Sequence, residues 1–158
     1  MNNSPPVTLA ELGEIDRLSF VKASTILDEA RNRLKLFDHD LAVRRSQEAF
    51  ELYIKSLFRF LRADYPTTHD LKKQIYDLTQ SLRQFDIESR QVARLVLASS
   101  VLRLWRSPAL YGDEALSIGG LFDASEAALA VSYAELGQSV CGIVRSHIYR
   151  RATVQEKR

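Results

Sequence analysis

Residues 40–85 read DLAVRRSQEAFELYIKSLFRFLRADYPTTHDLKKQIYDLTQSLRQF, and their spacing decides the fold. Core-side positions recur at Ala42, Ser46/Ala49, Phe50, Tyr53, Leu57 and Phe60/Leu61, mainly in steps of three or four. That step lays one stripe along an α-helix, because a helical turn takes 3.6 residues. The opposite face carries Arg44, Arg45, Glu48, Glu51, Lys55, Arg59 and Arg62, as a solvated face does. Glu51 and Lys55 stand in the favourable order for an i,i+4 ion pair. The spacing predicts a helix running to about Asp64. Pro66 then disfavours helical backbone at Tyr65. Thr67 or Thr68 can cap a third helix over about 69–82, with Leu71, Ile75, Leu78 and Leu82 turned inward.

Working outward, Thr8 and Glu11 have capping-box spacing, which starts the first helix. Its stripe is Phe20, Ala23, Leu27, Ala30 and Leu34, and Gly13 weakens the opening turns. A break follows at 36–40, where Asp38 or Asp40 can cap the second helix. A fourth helix is expected from about Asp86 to Trp105, with Val92, Leu95/Val96, Ser99 and Leu102 inward. The fifth is expected over Asp123 to Arg151, opened by Asp123 and Glu126. Its packing face is slim, with Ala124, Ala127/Ala128, Val131 and Ala134, then Leu136, Val140, Ile143/Val144 and Ile148. Residues 107–122, SPALYGDEALSIGGLF, exceed the usual helix connection and suit a return across a bundle. Gly119-Gly120 lacks the strand-to-helix context of a phosphate loop.

The 158 residues suffice for one domain, expected over 8–151 with a basic tail at 152–158, burying roughly 70% of the unfolded surface. Cys141 is the only cysteine, which excludes an internal disulfide and a cysteine-built zinc site; a core position is expected for it. The first residues lack the pattern of a secretory signal. The most apolar stretch is read as Val92 to Trp105, broken by Arg94 and Arg103 and too short to span a bilayer. A soluble cytoplasmic protein without a membrane partner is expected. Net charge is +2, unevenly spread: from Val140 onward five basic residues oppose one acidic, giving +4 there and −2 elsewhere. Such a terminus suits phosphate or a solvated helix end.

His69 is the strongest single candidate for chemistry, since imidazole exchanges a proton near neutrality and Asp70 adds a carboxylate. Neighbouring helix positions do not face each other, and capping at the helix start is the plainer role. Arg44, Arg45, Lys55, Arg59, Arg62, Lys72 and Lys73 need convergence to hold phosphate. In VLRLWRSPALYG, Arg103 and Arg106 share a helix face, and Trp105, Pro108 and Tyr111 can shape a pocket or stack on a base. Packing at a bundle edge is the commoner use of Trp105. Arg145 and His147 point in different directions, His39 sits in a turn, and Asp16 and Asp28 read as ordinary exposed positions. No metal-ligand spacing is present, and no cofactor is implied.

RRSQEAFELYIKSLFRFL, PTTHDL and LRLWRSPALYG before an alanine-rich helix together resemble the HEPN family, named for higher eukaryotes, prokaryotes and nucleotide binding. The likeness covers roughly residues 15 to 150. It implies an all-α, up-and-down bundle of four to five helices, commonly a homodimer. It also implies a nucleotidyltransferase or other protein partner, a toxin–antitoxin setting, or RNase activity on RNA. The family's nuclease branch places four to six residues between an arginine and a histidine around the start of its last core helix. Arg62 and His69 meet that count, as do Arg33 and His39, but across interhelical turns; Arg145 and His147 stand too close. The resemblance therefore points to the nucleotide-associated branch. His69 and Asp70 match the family's His-Asp-Leu signature, and Arg106 and Pro108 its basic loop, while Trp105 and Ser107 depart from it. The expectation is a nucleotide- or phosphate-associated accessory protein with His69, Asp70, Arg103, Arg106 and Tyr111 at the ligand. An interaction or antitoxin-like scaffold, and a metal-independent RNase using Arg62 and His69, are the alternatives.

Overall fold

Thr8 opens the first helix as its spacing predicts: its hydroxyl accepts from the Glu11 N–H at 3.2 Å, and the Glu11 carboxylate accepts from the Thr8 N–H at 2.8 Å. The computed structural model describes residues 7–65, 71–111 and 120–156, side chains of 107–111 excepted. Among these residues every regular element is helical and none is a strand. They are α1 (Leu9–Ile15), a π-helical turn (Asp16–Phe20), α2 (Val21–Lys35), α3 (His39–Phe60), α4 (Lys72–Asp77), α5 (Thr79–Arg83), α6 (Ser89–Tyr111) and α7 (Ala124–Glu156).

Helix α3 lies at the centre, packed most extensively on α7 and α2 and also on α6. Ala42, Ser46, Ala49, Phe50, Tyr53, Leu57 and Phe60 are buried as their periodicity predicts. Val43, Ile54, Ser56 and Phe58 are buried as well, because neighbours cover a second side of the helix. The Ser46 hydroxyl donates to the Ala42 carbonyl at 2.8 Å, which lets a polar group sit dry. Gly137 of α7 faces the middle of α3. A Cβ there would meet the Phe50 ring at 3.3 Å and Tyr53 Cβ at 3.4 Å, so a hydrogen sets the spacing of the two helices. The α7 stripe is Ala127, Ala130, Val131, Ala134, Gly137, Val140, Cys141 and Val144; Ala124 and Ala128, expected inward, face out. Cys141 is wholly in the core, and burial pushes its thiol far up.

Several boundaries differ from the sequence reading. α3 stops at Phe60, four residues early, and the third helix is two short pieces broken at Leu78. Leu71, Ile75, Leu78 and Leu82 are nevertheless all buried against the bundle. α6 continues through Pro108 to Tyr111, beyond Trp105. α7 continues past Arg151 to Glu156, held by buried Ala152, so part of the expected tail is helix. α7, rather than Val92 to Trp105, is the described helix long and apolar enough to cross a bilayer, with mean hydropathy 1.3 over its most apolar 18 residues, yet it is packed along α3 and α2. The turn at Pro66, its capping threonines and most of the α6–α7 connection, including Gly119, lie outside the described residues.

Helices α2, α3 and α5 end alike. Asp38 N–H reaches the Arg33 carbonyl at 3.0 Å, Ala63 that of Phe58 at 2.9 Å, and Ile87 that of Leu82 at 3.4 Å. This closure requires a left-handed residue just before the donor, usually glycine. Here it is Phe37 (φ 59), Arg62 (φ 52) and Asp86 (φ 60). Phe37 is also 82% exposed, so its ring returns little for the backbone cost. Phe37→Gly is expected to leave stability unchanged or raise it by up to about 1 kcal/mol, the relieved strain set against a more flexible unfolded chain. A urea midpoint that falls clearly would show that the ring contributes more than its exposure suggests.

Candidate functional site

Arg103 and Arg106 stand one turn apart on α6, and Arg44 faces them from α3. All three line one cleft between these helices, of about 110 Å³, floored by Phe50, Ser99 and Leu102. The register is fixed by Gln47, whose amide donates to the Leu102 carbonyl at 2.9 Å. Two carboxylates reach the same space. Glu48 lies 3.7 Å from Arg44, and Glu51 accepts from Arg106 at 3.2 Å. The expected Glu51–Lys55 pair is not formed: Glu51 turns to Arg106, and the Lys55 ammonium lies 5.6 Å from the Tyr65 ring centroid. Leu71 closes one end of the cleft, and Asp70 and His69 precede it in the chain. His69 and Asp70 themselves lie outside the described residues, as does the Tyr111 side chain.

A second groove lies across α3, lined by Lys22, Arg45, Lys55 and Tyr65 and sharing Glu48 and Glu51 with the cleft. Arg45 is held there by Glu29 at 3.0 Å and Glu48 at 2.6 Å. Arg44 and Arg45 thus point in different directions, about 100° apart around α3 as helical projection requires. Burial pushes the Tyr65 phenol up to about 12, and the Glu51 carboxylate adds to the effect. Trp105 packs against Phe122 at 5.5 Å between ring centroids, the edge-closing role expected of it.

The described residues of the two arginine–histidine spacings, Arg62, Arg33 and His39, are engaged elsewhere. Arg62 closes α3 and bonds both oxygens of Glu11, at 3.1 and 3.3 Å. Arg33 pairs with Asp38 at 3.6 Å, while the His39 ring packs on Phe37 and its Nε2 is buried without a hydrogen-bond partner. Arg145 and His147 diverge: the first turns to Asp16, the second sets its ring on Phe85. No cluster of metal ligands occurs among the described residues.

Asp16 corrects the sequence reading most sharply, for it is 8% exposed rather than a surface residue. Arg145 grips it with two parallel bonds, Nε to Oδ1 at 2.7 Å and Nη2 to Oδ2 at 2.6 Å, and the Tyr149 hydroxyl donates to Oδ2. The guanidinium lies between the Phe20 and Tyr149 rings, 5.1 and 4.6 Å from their centroids. The cluster joins the π-helical turn to the far end of α7 and is fully paired, so it holds structure rather than ligand. Nothing local marks Asp16, whose partners come 129 and 133 residues later.

Residues 17–136 match the HEPN domain, about three quarters of the chain, and the protein belongs to that family. No curated protein and no solved structure matches it.

Asp16→Ala would strand Arg145, whose side chain is one-third exposed; a loss of about 2 kcal/mol is expected, less than for a fully buried ion. A lower urea midpoint at unchanged slope would register it. Burial pushes the Tyr149 phenol to about 12, as it does Tyr65, against an ordinary value of 10. Both raised values favour the neutral phenol in the folded chain, so stability is whole below pH 10 and declines between pH 10 and 12. Urea midpoints across that range should fall, and Tyr149→Phe should flatten part of the decline.

Proposed function

We propose that this HEPN protein is a nucleotide- or phosphate-associated accessory module that works with a partner protein. The observation that supports this is the convergence of Arg44, Arg103 and Arg106 on one cleft between α3 and α6. Guanidinium groups present several N–H donors in one plane, and bidentate pairing with phosphate is their strongest use. His69, Asp70 and Tyr111 keep their proposed place at the ligand through their position in the chain beside Leu71 and Arg106. The protein acts in the cytoplasm as a homodimer, away from membranes, with a nucleotidyltransferase or another protein as partner, in keeping with its family. A toxin–antitoxin pair is one such setting.

A scaffold without a ligand is the second reading, favoured by Leu97 and Leu104. They are seven residues apart on α6, on one face, and 55% and 75% exposed. RNase action through Arg62 and His69 has less support, because Glu11 already engages the Arg62 guanidinium.

Titration calorimetry with AMP, ATP and inorganic phosphate tests the proposal. The protein should bind at least one of them, and Arg103→Ala or Arg106→Ala should each weaken binding about tenfold or more, as loss of a charge-assisted hydrogen bond does. Absence of binding across the panel, with the co-purified partner present as well, would leave the scaffold reading.

A further inference from the structure

Helix α6 turns Val92, Leu95, Ala98 and Leu102 into the bundle. Its opposite side carries Arg90, Arg94, Leu97, Val101 and Leu104, in steps of four and three that keep them in one row. All are exposed except half-buried Val101, and the row is about 21 Å long at the helical rise. Its two halves differ: arginines hold the first turns and aliphatic side chains the last. Neither Arg90 nor Arg94 makes an ion pair or a side-chain hydrogen bond with another described residue. Arg31, Arg45 and Arg145, by contrast, are each held by a carboxylate. Arg90 also stands in the first turn of α6, where the helix dipole disfavours a cation, so its charge does not serve the helix itself.

We infer that the outer face of α6 docks an amphipathic helix of a partner protein, acidic opposite Arg90 and Arg94 and aliphatic opposite Leu97, Val101 and Leu104. The inference rests on the partner-protein part of the reading above and is independent of its phosphate part. Charge decides the occupant. α6 contains four arginines and no acidic residue. Two copies meeting along this row would therefore take arginine out of water without supplying a counter-charge. A helix bearing carboxylates supplies it, and the adjoining leucines give that helix a dry seam to pack into. Nucleic acid answers the arginines but not the rest of the row, which is aliphatic where base stacking needs aromatic rings. Trp105, the aromatic next to Leu104 in the chain, is packed on Phe122. A membrane surface calls for a broader apolar face than one row provides.

The test uses fluorescence anisotropy with two labelled, alanine-based helical peptides that share a leucine seam. One carries glutamates at the seam positions of one end, the other lysines there. The full chain should bind the glutamate peptide about tenfold tighter or more, and added salt should weaken it. Arg90→Glu with Arg94→Glu should reverse the preference, which a loss of stability does not do. Leu97→Ser with Leu104→Ser should weaken the glutamate peptide about tenfold or more at an unchanged urea midpoint, since both leucines are exposed. Arg150→Glu, on α7, should change nothing. Equal affinity for the two peptides, or a preference that survives the charge reversal, would overturn the charge matching. No binding of the glutamate peptide would overturn the inference outright. A dimer that Leu97→Ser with Leu104→Ser dissociates in sedimentation would overturn it in favour of a second copy. Binding to anionic phospholipid vesicles or to poly(U) RNA that exceeds peptide binding, and is lost in Arg90→Glu with Arg94→Glu, would overturn it in favour of those surfaces. A native partner recovered equally by wild type and by Leu97→Ser with Leu104→Ser would overturn the inference and leave the accessory reading standing.

Discussion

The close passage of α3 and α7 at Gly137 sets the spacing of the most extensive helix pair in the bundle. Where most helix pairs are separated by side chains on both partners, α7 offers a hydrogen, and Phe50 and Tyr53 fill the room. Alanines at 127, 130 and 134 extend the approach along the helix. With α7 drawn in on one side and α2 on another, α3 becomes a fully supported axis whose remaining face meets α6. The cleft opens on that face, so its geometry inherits the rigidity of the core. Gln47 transmits the register directly by spanning from α3 to the α6 backbone.

The bundle was legible because each long helix carries an unbroken run of inward positions. The runs through Tyr53 on α3 and Leu95 on α6 needed no tertiary knowledge, and both residues are wholly buried. What escaped depends on neighbours. Ile54 and Phe58 fall off the main stripe and count as core only once a second helix covers them. Ala124 and Ala128 read as packing residues because alanine suits either environment, and the phase of α7 turns them outward. The closing residues of α2, α3 and α5 carried no signal, since a reader looks for glycine and finds phenylalanine, arginine and aspartate.

The cleft was half legible. Arg103 and Arg106 share a face by their spacing alone, and Leu71 belongs to the core by its periodicity. Arg44 joins them from a helix about 60 residues earlier, a convergence only the fold creates. Local rules also misassigned Glu51: the lysine four residues on is worth only a few tenths of a kcal/mol, and an arginine brought in from α6 offers a stronger donor set. Asp16 failed for the same reason, as burial of its carboxylate is intelligible only beside Arg145 and Tyr149.

Cys141 has a practical bearing on how motion in this protein can be watched. Its sulfur is enclosed between α7 and the rest of the core, and its acidity is suppressed by the same enclosure, so thiol reagents meet no ready nucleophile while the chain is folded. The native chain is therefore a silent background for site-directed probes. One cysteine introduced on the outer surface of α3 or α6 would carry a fluorophore or spin label alone, and displacement of neighbouring side chains could be followed without altering the interior.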